Sequence, residues 1–345
     1  MFKIDFKTVI QYLIFLGLGV GLIWYSAKDL SPEQVDQLKS SWKDTRFIYL
    51  IPVIVALLVS HLSRALRWKQ LMKPLGYNPG IANTYLAVLI GYFFNLLVPR
   101  LGEVMKCTIL AKYEKVAPDK LVGTILAERA VDLLSMLLVA LILLLMQFDT
   151  IGTYAMEIFD LLMKTGGEFS IIRILLVISL AVAVYFLIRW SFKKYKRNKI
   201  VRRIKGIWRG ILQGIRSLKN IDNWPVFIFH SLFIWAMYLA CIWMGFYAFP
   251  PVGNHGFDAA FAVLTFGSLG MIATQGGIGA YQIAVQKTLE YFGVASVTGL
   301  AFGWVIWGAQ TAIVLIAGLI SLIILPLINA KRKPQATANQ LKNRS

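Results

Sequence analysis

Two groups of polar and ionisable residues interrupt otherwise apolar stretches of this chain. The first is Asn95, Arg100, Glu103 and Lys106, gathered around Pro99 and Gly102; the second is Glu128, Arg129 and Asp132. Arginine presents a planar fork of donors that suits a phosphate better than the point charge of lysine does. One reading therefore sets Arg100, Arg129 and Lys106 against a phosphate, with Glu103, Glu128 and Asp132 orienting them or carrying protons. The other reading is structural, because charges that broadly balance can serve as an ion-pair network that holds helices together. The local spacing puts Glu103 beside Lys106 and Arg129 beside Asp132, each at i, i+3, and leaves both readings open.

A third region is chemically unlike these. No charged residue lies between Asp258 and Lys287, but glycine is dense, at Gly267, Gly270, Gly276, Gly277 and Gly279. The run Thr274-Gln275-Gly276-Gly277-Ile278-Gly279-Ala280-Tyr281, continued by Gln282, reads as a break between two half-helices. Glycine there lets backbone amides approach a ligand or simply lets helices pack, and packing is the more ordinary of the two. Gly276, Gly277, Gly279, Tyr281 and Gln282 complete the candidate substrate-binding residues. The histidines (His61, His230, His255) and cysteines (Cys107, Cys241) have no ligand spacing. No Ser/His/Asp arrangement or phosphate-binding loop is present. No metal, cofactor or enzymatic activity is expected.

The elements that must position these residues are membrane helices. Of 345 residues 58% are hydrophobic and 15% charged, against about 25% charged in soluble domains. The net charge of +19 falls mainly in the gaps between apolar runs and comes with no nucleic-acid motif, so it reads as the positive-inside rule and not as nucleic-acid binding. The clear spans are 9–27, 47–63, 121–146, 171–190, 224–248 and 299–326. The first is read as an uncleaved anchor. Segments 64–80 (with Arg64 and Arg67), 189–219 and the tail from Lys331 carry bases and no acid, which makes them cytoplasmic. The loops 28–46 and 147–170 are balanced or acidic, hence external. The expected setting is a bacterial-type inner membrane with both termini cytoplasmic.

This parity makes 81–120 enter and leave on the inside and 258–298 on the outside, each as a re-entrant helix pair. The expected fold is an all-α polytopic membrane protein, with about six transmembrane helices and two re-entrant pairs in an inverted-topology repeat. Residues 1–165 form the first repeat, 166–330 the second, and 331–345 a basic tail. Elements starting at 47, 81 and 121 recur at 224, 258 and 299, at offsets of 177, 177 and 178, and such broken elements point to a transport site near the midplane. Glu128 and Asp132 lie about 10 and 16 Å beyond residue 121 along a helix, depths where a charge costs a few kcal/mol or more. The helix starting after Pro99 offers free N–H groups to an anion. Within 191–222, Ile200, Ile204, Ile207, Ile211 and Ile215 recur at helical spacing beside arginines, as in an interfacial helix on anionic lipid.

The runs Gly91-Tyr-Phe-Phe-Asn95-Leu-Leu-Val-Pro99-Arg100-Leu-Gly102-Glu103, Gly123-Thr-Ile-Leu-Ala-Glu128-Arg129-Ala-Val-Asp132 and Gly276-Gly277-Ile278-Gly279, preceded by Arg64-Ala-Leu-Arg67-Trp68, resemble the lysylphosphatidylglycerol synthase transmembrane-domain, or flippase-like, family over nearly the whole chain. The resemblance implies a membrane domain that translocates a phospholipid or lipid-linked head group, standing alone without the synthase domain. Gln282 stands where the family commonly has glutamate, and Gly303-Trp304-Val305-Ile306-Trp307 lacks an arginine often found there. The second half is thus less polar than the family pattern. The expected partners are membrane lipids with a phosphate head group, with a homo-oligomer or a lipid-modifying enzyme as further possibilities. The alternative function is a non-transporting membrane partner that recruits or presents lipid to such an enzyme through 189–219.

Overall fold

The computed structural model describes residues 45–147 and 221–330, except 99 and 254, and a few isolated positions elsewhere. The expected spans 9–27 and 171–190, most of the basic segment 191–222 and the tail 331–345 lie outside the described residues. Those described form eight α-helices, α1 (Leu50–Met72), α2 (Ile81–Leu97), α3 (Leu101–Glu114), α4 (Pro118–Met146), α5 (Trp224–Ala248), α6 (Phe257–Ala273), α7 (Ala280–Tyr291) and α8 (Ser296–Ala330). Apart from these and short 3₁₀ turns there is one two-residue β-hairpin, β1 (Lys164–Thr165) with β2 (Glu168–Phe169). The all-α polytopic expectation holds.

Helices α1, α4, α5 and α8 are long and apolar enough to cross a membrane, whereas α2 and α6, at 17 residues each, are shorter. At 1.5 Å per residue the short pair reach about 26 Å, below the roughly 30 Å of a bilayer core. Large apolar side chains remain exposed in stripes, such as Leu134, Leu137, Leu141 and Leu145 on α4 and Ile316, Leu319, Ile320 and Ile323 on α8. Apolar surface of that extent faces lipid and not water.

One expectation needs correction. The span 47–63 does not end at Arg64. Helix α1 runs through Arg64 and Arg67 to Met72, and both arginines are buried. Hydropathy stopped the span at its first charge, but the apolar positions Ala65, Trp68, Leu71 and Met72 continue its buried face, and that face carries the helix on.

Local chemistry explains the breaks. Val98 is extended (φ −141°, ψ 129°), the conformation imposed on a residue that precedes proline, and Arg100 is left-handed at φ 65° before α3 begins. Proline opens α4 at its first position, and the Asn223 side chain accepts from the Val226 N–H to cap α5. Between α6 and α7 the chain turns through Gly276, Gly277 and Gly279, with φ of 62°, 75° and 78°; only glycine takes such angles freely.

Helices α2 and α3 fold into one antiparallel hairpin and α6 and α7 into another. In the first, a Cβ at Gly102 would strike the carbonyl oxygen of Gly91, so glycine is a steric requirement. Gly102→Ala is expected to destabilise the protein by about 1–3 kcal/mol through overpacking. Gly123→Ala on α4, where a Cβ meets nothing within 4 Å, should be neutral or stabilise by up to about 1 kcal/mol. Thermal unfolding in detergent compares the two.

Packing joins the halves. Helices α1 and α5 run antiparallel, tied by Arg46 N–H to the Ala248 carbonyl (2.8 Å) at one end and Ser63 Oγ to His230 Nδ1 (2.8 Å) near the other. Helix α2 packs on α8 and α6 on α4, so among the described residues each short helix lies against a long helix from the other side of the 148–220 segment. Asn83 and Asn329 bond reciprocally where α2 begins and α8 ends. The two hairpin tips then touch: Gln275 Nε2 donates to the Asn95 carbonyl at 2.6 Å, and Trp307 Nε1 on α8 donates to the Gly276 carbonyl at 2.7 Å.

Candidate functional site

Helical spacing places His61, Arg64, Arg67 and Trp68 along one face of α1, and Glu128 and Asp132 along one face of α4. Where these faces meet α3, the charges form a closed, buried network. Arg64 donates to Glu128 Oε1 (3.1 Å) and Asp132 Oδ2 (2.5 Å), Arg67 to Asp132 Oδ1 (2.6 Å), and Lys106 to Glu128 Oε2 (2.6 Å). All four carboxylate oxygens are thus occupied by cations. Lys106 Nζ also lies 4.5 Å from the centre of the Trp68 ring, a further stabilising contact. Trp68 in turn donates to Thr124 Oγ1 (2.8 Å), Arg64 to Tyr238 Oη (3.3 Å) and Arg67 to Ser231 Oγ (3.3 Å).

Arg129 stands apart. It pairs with Glu103 at 2.8 Å, and its side chain is 52% exposed. The i, i+3 pairings expected from local spacing are replaced by contacts between helices. Lys106 takes Glu128 instead of Glu103, and Asp132 takes the two α1 arginines instead of Arg129. The reason is burial: in a low dielectric a carboxylate needs every oxygen satisfied, and the two buried guanidinium groups on α1, with Lys106, meet that need.

A cavity of about 620 Å³ opens beside this network, among α1, α2, α4, α5, α6 and α8. Arg64, Arg129 and Asp132 line one part of it, and Asn95, Gly276 and Tyr281 bring in the two hairpins. A separate apolar cavity of about 710 Å³ lies between the end of α4 and the α6–α7 hairpin, far from the charged cluster.

Of the candidates read from sequence, Asn95, Arg129, Asp132, Gly276 and Tyr281 line the central cavity. Glu103, Lys106 and Glu128 instead border a narrow gap behind it, with Arg64 and Arg129. Arg100 is exposed and joins neither. Asn95 accepts the Gly102 N–H at 2.9 Å through its side chain, so that amide at the start of α3 is already taken. Gly277 and Gly279 shape the turn, and Gln282 is fully buried against α8, its amide without a partner among the described residues.

Sequence reasoning read Arg64 and Arg67 as cytoplasmic charge and as part of the family resemblance but not as site residues, and gave no site role to His61, Trp235, Tyr238 or Trp307. The signal for the arginines was their i, i+3 spacing within a stretch whose apolar period does not stop. Among the described residues no group of histidine, cysteine and carboxylate side chains could hold a metal.

Four helices able to cross a membrane, two short hairpins meeting tip to tip and a charged cavity between them define a multi-pass helical membrane protein with an internal polar site. The chain belongs to the family described as the lysylphosphatidylglycerol synthase TM region, which it matches over residues 9–318. It is also 24% identical over 222 residues to a UPF0104 membrane protein of Methanocaldococcus jannaschii, a match that takes in 55% of this chain and 61% of that relative's length. No solved structure matches the chain significantly.

Proposed function

We propose that the protein is a lipid translocase, which moves a phospholipid or lipid-linked head group between leaflets without altering it covalently. The observation that carries this reading is the half-exposed Arg129 at the central cavity, next to a network whose carboxylates are all engaged. The residues gathered there are four cations (Arg64, Arg67, Lys106, Arg129) and three carboxylates (Glu103, Glu128, Asp132). One positive charge is left over, which suits a single phosphodiester. On this reading the hairpins are re-entrant and meet near the midplane, as at the sites of many transporters. The head group sits between their tips while the acyl chains stay in lipid.

The test is reconstitution of the full chain into vesicles that carry phosphatidylglycerol labelled on its acyl chain. Dithionite added outside should bleach well beyond the outer-leaflet fraction, and mass spectrometry should recover the lipid intact. Bleaching equal to that of empty vesicles, or chemically altered lipid, overturns the proposal.

A further inference from the structure

Helix α6 has a cavity on each side. Ser268, Met271 and Ile272 face the central, charged one. Phe266, Leu269 and Ala273, on the opposite face of the helix, line the apolar cavity of about 710 Å³. Its second wall is α7, through Ala280, Ile283 and Ala284, and Leu143 borders it on the α4 side. The two arms of the hairpin touch at its floor, where a Cβ on Gly270 would lie 2.8 Å from the Ala280 carbonyl oxygen. The space is therefore a groove backed by the hairpin.

The chemistry and length of the groove select its occupant. Water finds little to bond there, because Thr288 already donates to the Ala284 carbonyl at 2.7 Å and an apolar lining does not hold water. The groove follows α6 from Ala262 to Ala273 and α7 from Tyr291 back to Ala280. At 1.5 Å per residue that is about 17 Å, close to the depth of one leaflet in a core roughly 30 Å thick. An extended acyl chain of a phospholipid has that reach and no polar atoms along it. The other polar lining residues, Gln147, Lys287 and Tyr291, collect at the outer end, where α4 and α7 finish. The Lys287 side chain is 68% exposed and bonds Glu290 at 2.8 Å; an ammonium has three donors, so it can also bond a phosphate oxygen.

We propose that this groove holds one acyl chain of a resident phospholipid, with the phosphate at Lys287 and the methyl end at the tip of the α6–α7 hairpin. The site is separate from the central cavity and stands whether or not the protein moves lipid. Lys287 and Glu290 carry opposite charges, so the mouth takes a phospholipid by its chain and not by the net charge of its head group. The chain lies against the back of α6, whose other face is a wall of the central cavity.

Photo-crosslinking of the full chain in phosphatidylcholine vesicles tests this, with a trace of phosphatidylglycerol that carries a diazirine on the last carbon of one acyl chain. Mass spectrometry of the digested protein should find the label concentrated on Phe266, Leu269, Ala273 and Ala280. It should move to Thr288 and Tyr291 when the diazirine sits near the ester. A phosphatidylethanolamine probe should label the groove within about twofold of the phosphatidylglycerol probe. The variant Ala273→Phe, Ala284→Phe fills the groove. Each methylene it displaces is worth about fourfold in affinity, so groove labelling should fall about tenfold or more. Labelling of Ile316 and Ile323, exposed on α8, should not change. Label no denser in the groove than on those two residues overturns the proposal, as does label on Ser268, Met271 and Ile272 in its place, or groove labelling undiminished in the filled variant. A phosphatidylethanolamine yield far from that of phosphatidylglycerol overturns selection by the chain. If the variant does not fold, the distribution of label on the unaltered protein decides alone.

Discussion

Asp132→Leu is expected to cost the protein about 3–5 kcal/mol of stability, the loss typical when one partner of a buried ion pair is removed. The magnitude follows from what is left behind. Arg67 is fully buried, and Asp132 Oδ1 is its ion-pair partner among the described residues; without it the guanidinium keeps only the hydroxyl of Ser231 at 3.3 Å. Arg64 keeps Glu128, which must then share its charge with Lys106 as well. Unfolding in mixed micelles by SDS, followed by circular dichroism, measures the loss. The double variant Arg67→Met, Asp132→Leu should recover most of it, because an apolar pair of similar volume often replaces a buried ion pair without penalty. A single variant as stable as the unaltered protein would show that the network does not hold α1 to α4.

The distance between these partners also explains what could be read from the chain beforehand. The break after Val98 and the glycine-rich break at 274–279 were legible because proline and glycine act on their immediate neighbours. Helix α5 was legible to the residue, since Pro225 near its start and an uninterrupted apolar run delimit it. The ion pairs were not, because Arg64 and Asp132 are 68 residues apart and local spacing offered Arg129 as a nearer partner. Which of two cations a buried carboxylate takes depends on how helices pack, and a single sequence does not carry that information. The same limit applied to Asn95. Its position before Pro99 was conspicuous, but that its side chain caps α3 while its carbonyl receives Gln275 from the other hairpin depends on the fold being assembled. Arg64 and Arg67 were misplaced for a different reason: a hydropathy window treats any arginine as a reason to end a span, whereas a membrane helix keeps one wherever its charge is met inside the bundle.

Arg129→Ala separates holding the fold from handling the substrate. Its pair with Glu103 is half-exposed, and exposed pairs contribute only about 0–1 kcal/mol, so the variant should unfold within about 1 kcal/mol of the unaltered protein. Lipid movement in reconstituted vesicles should nevertheless fall by about tenfold or more, since a charge-assisted hydrogen bond to an anion contributes about 1.5–3 kcal/mol. Glu103→Gln tests the same residue from the other side. It removes the carboxylate that competes with phosphate for Arg129 and leaves that arginine in place, so affinity for phosphatidylethanol should rise a few-fold. The opposite signs matter, because general damage to the hairpin would weaken binding in both variants. If Arg129→Ala moves lipid at the unaltered rate, the cavity charge has no part in transport, and the ionisable residues of this bundle are structural throughout.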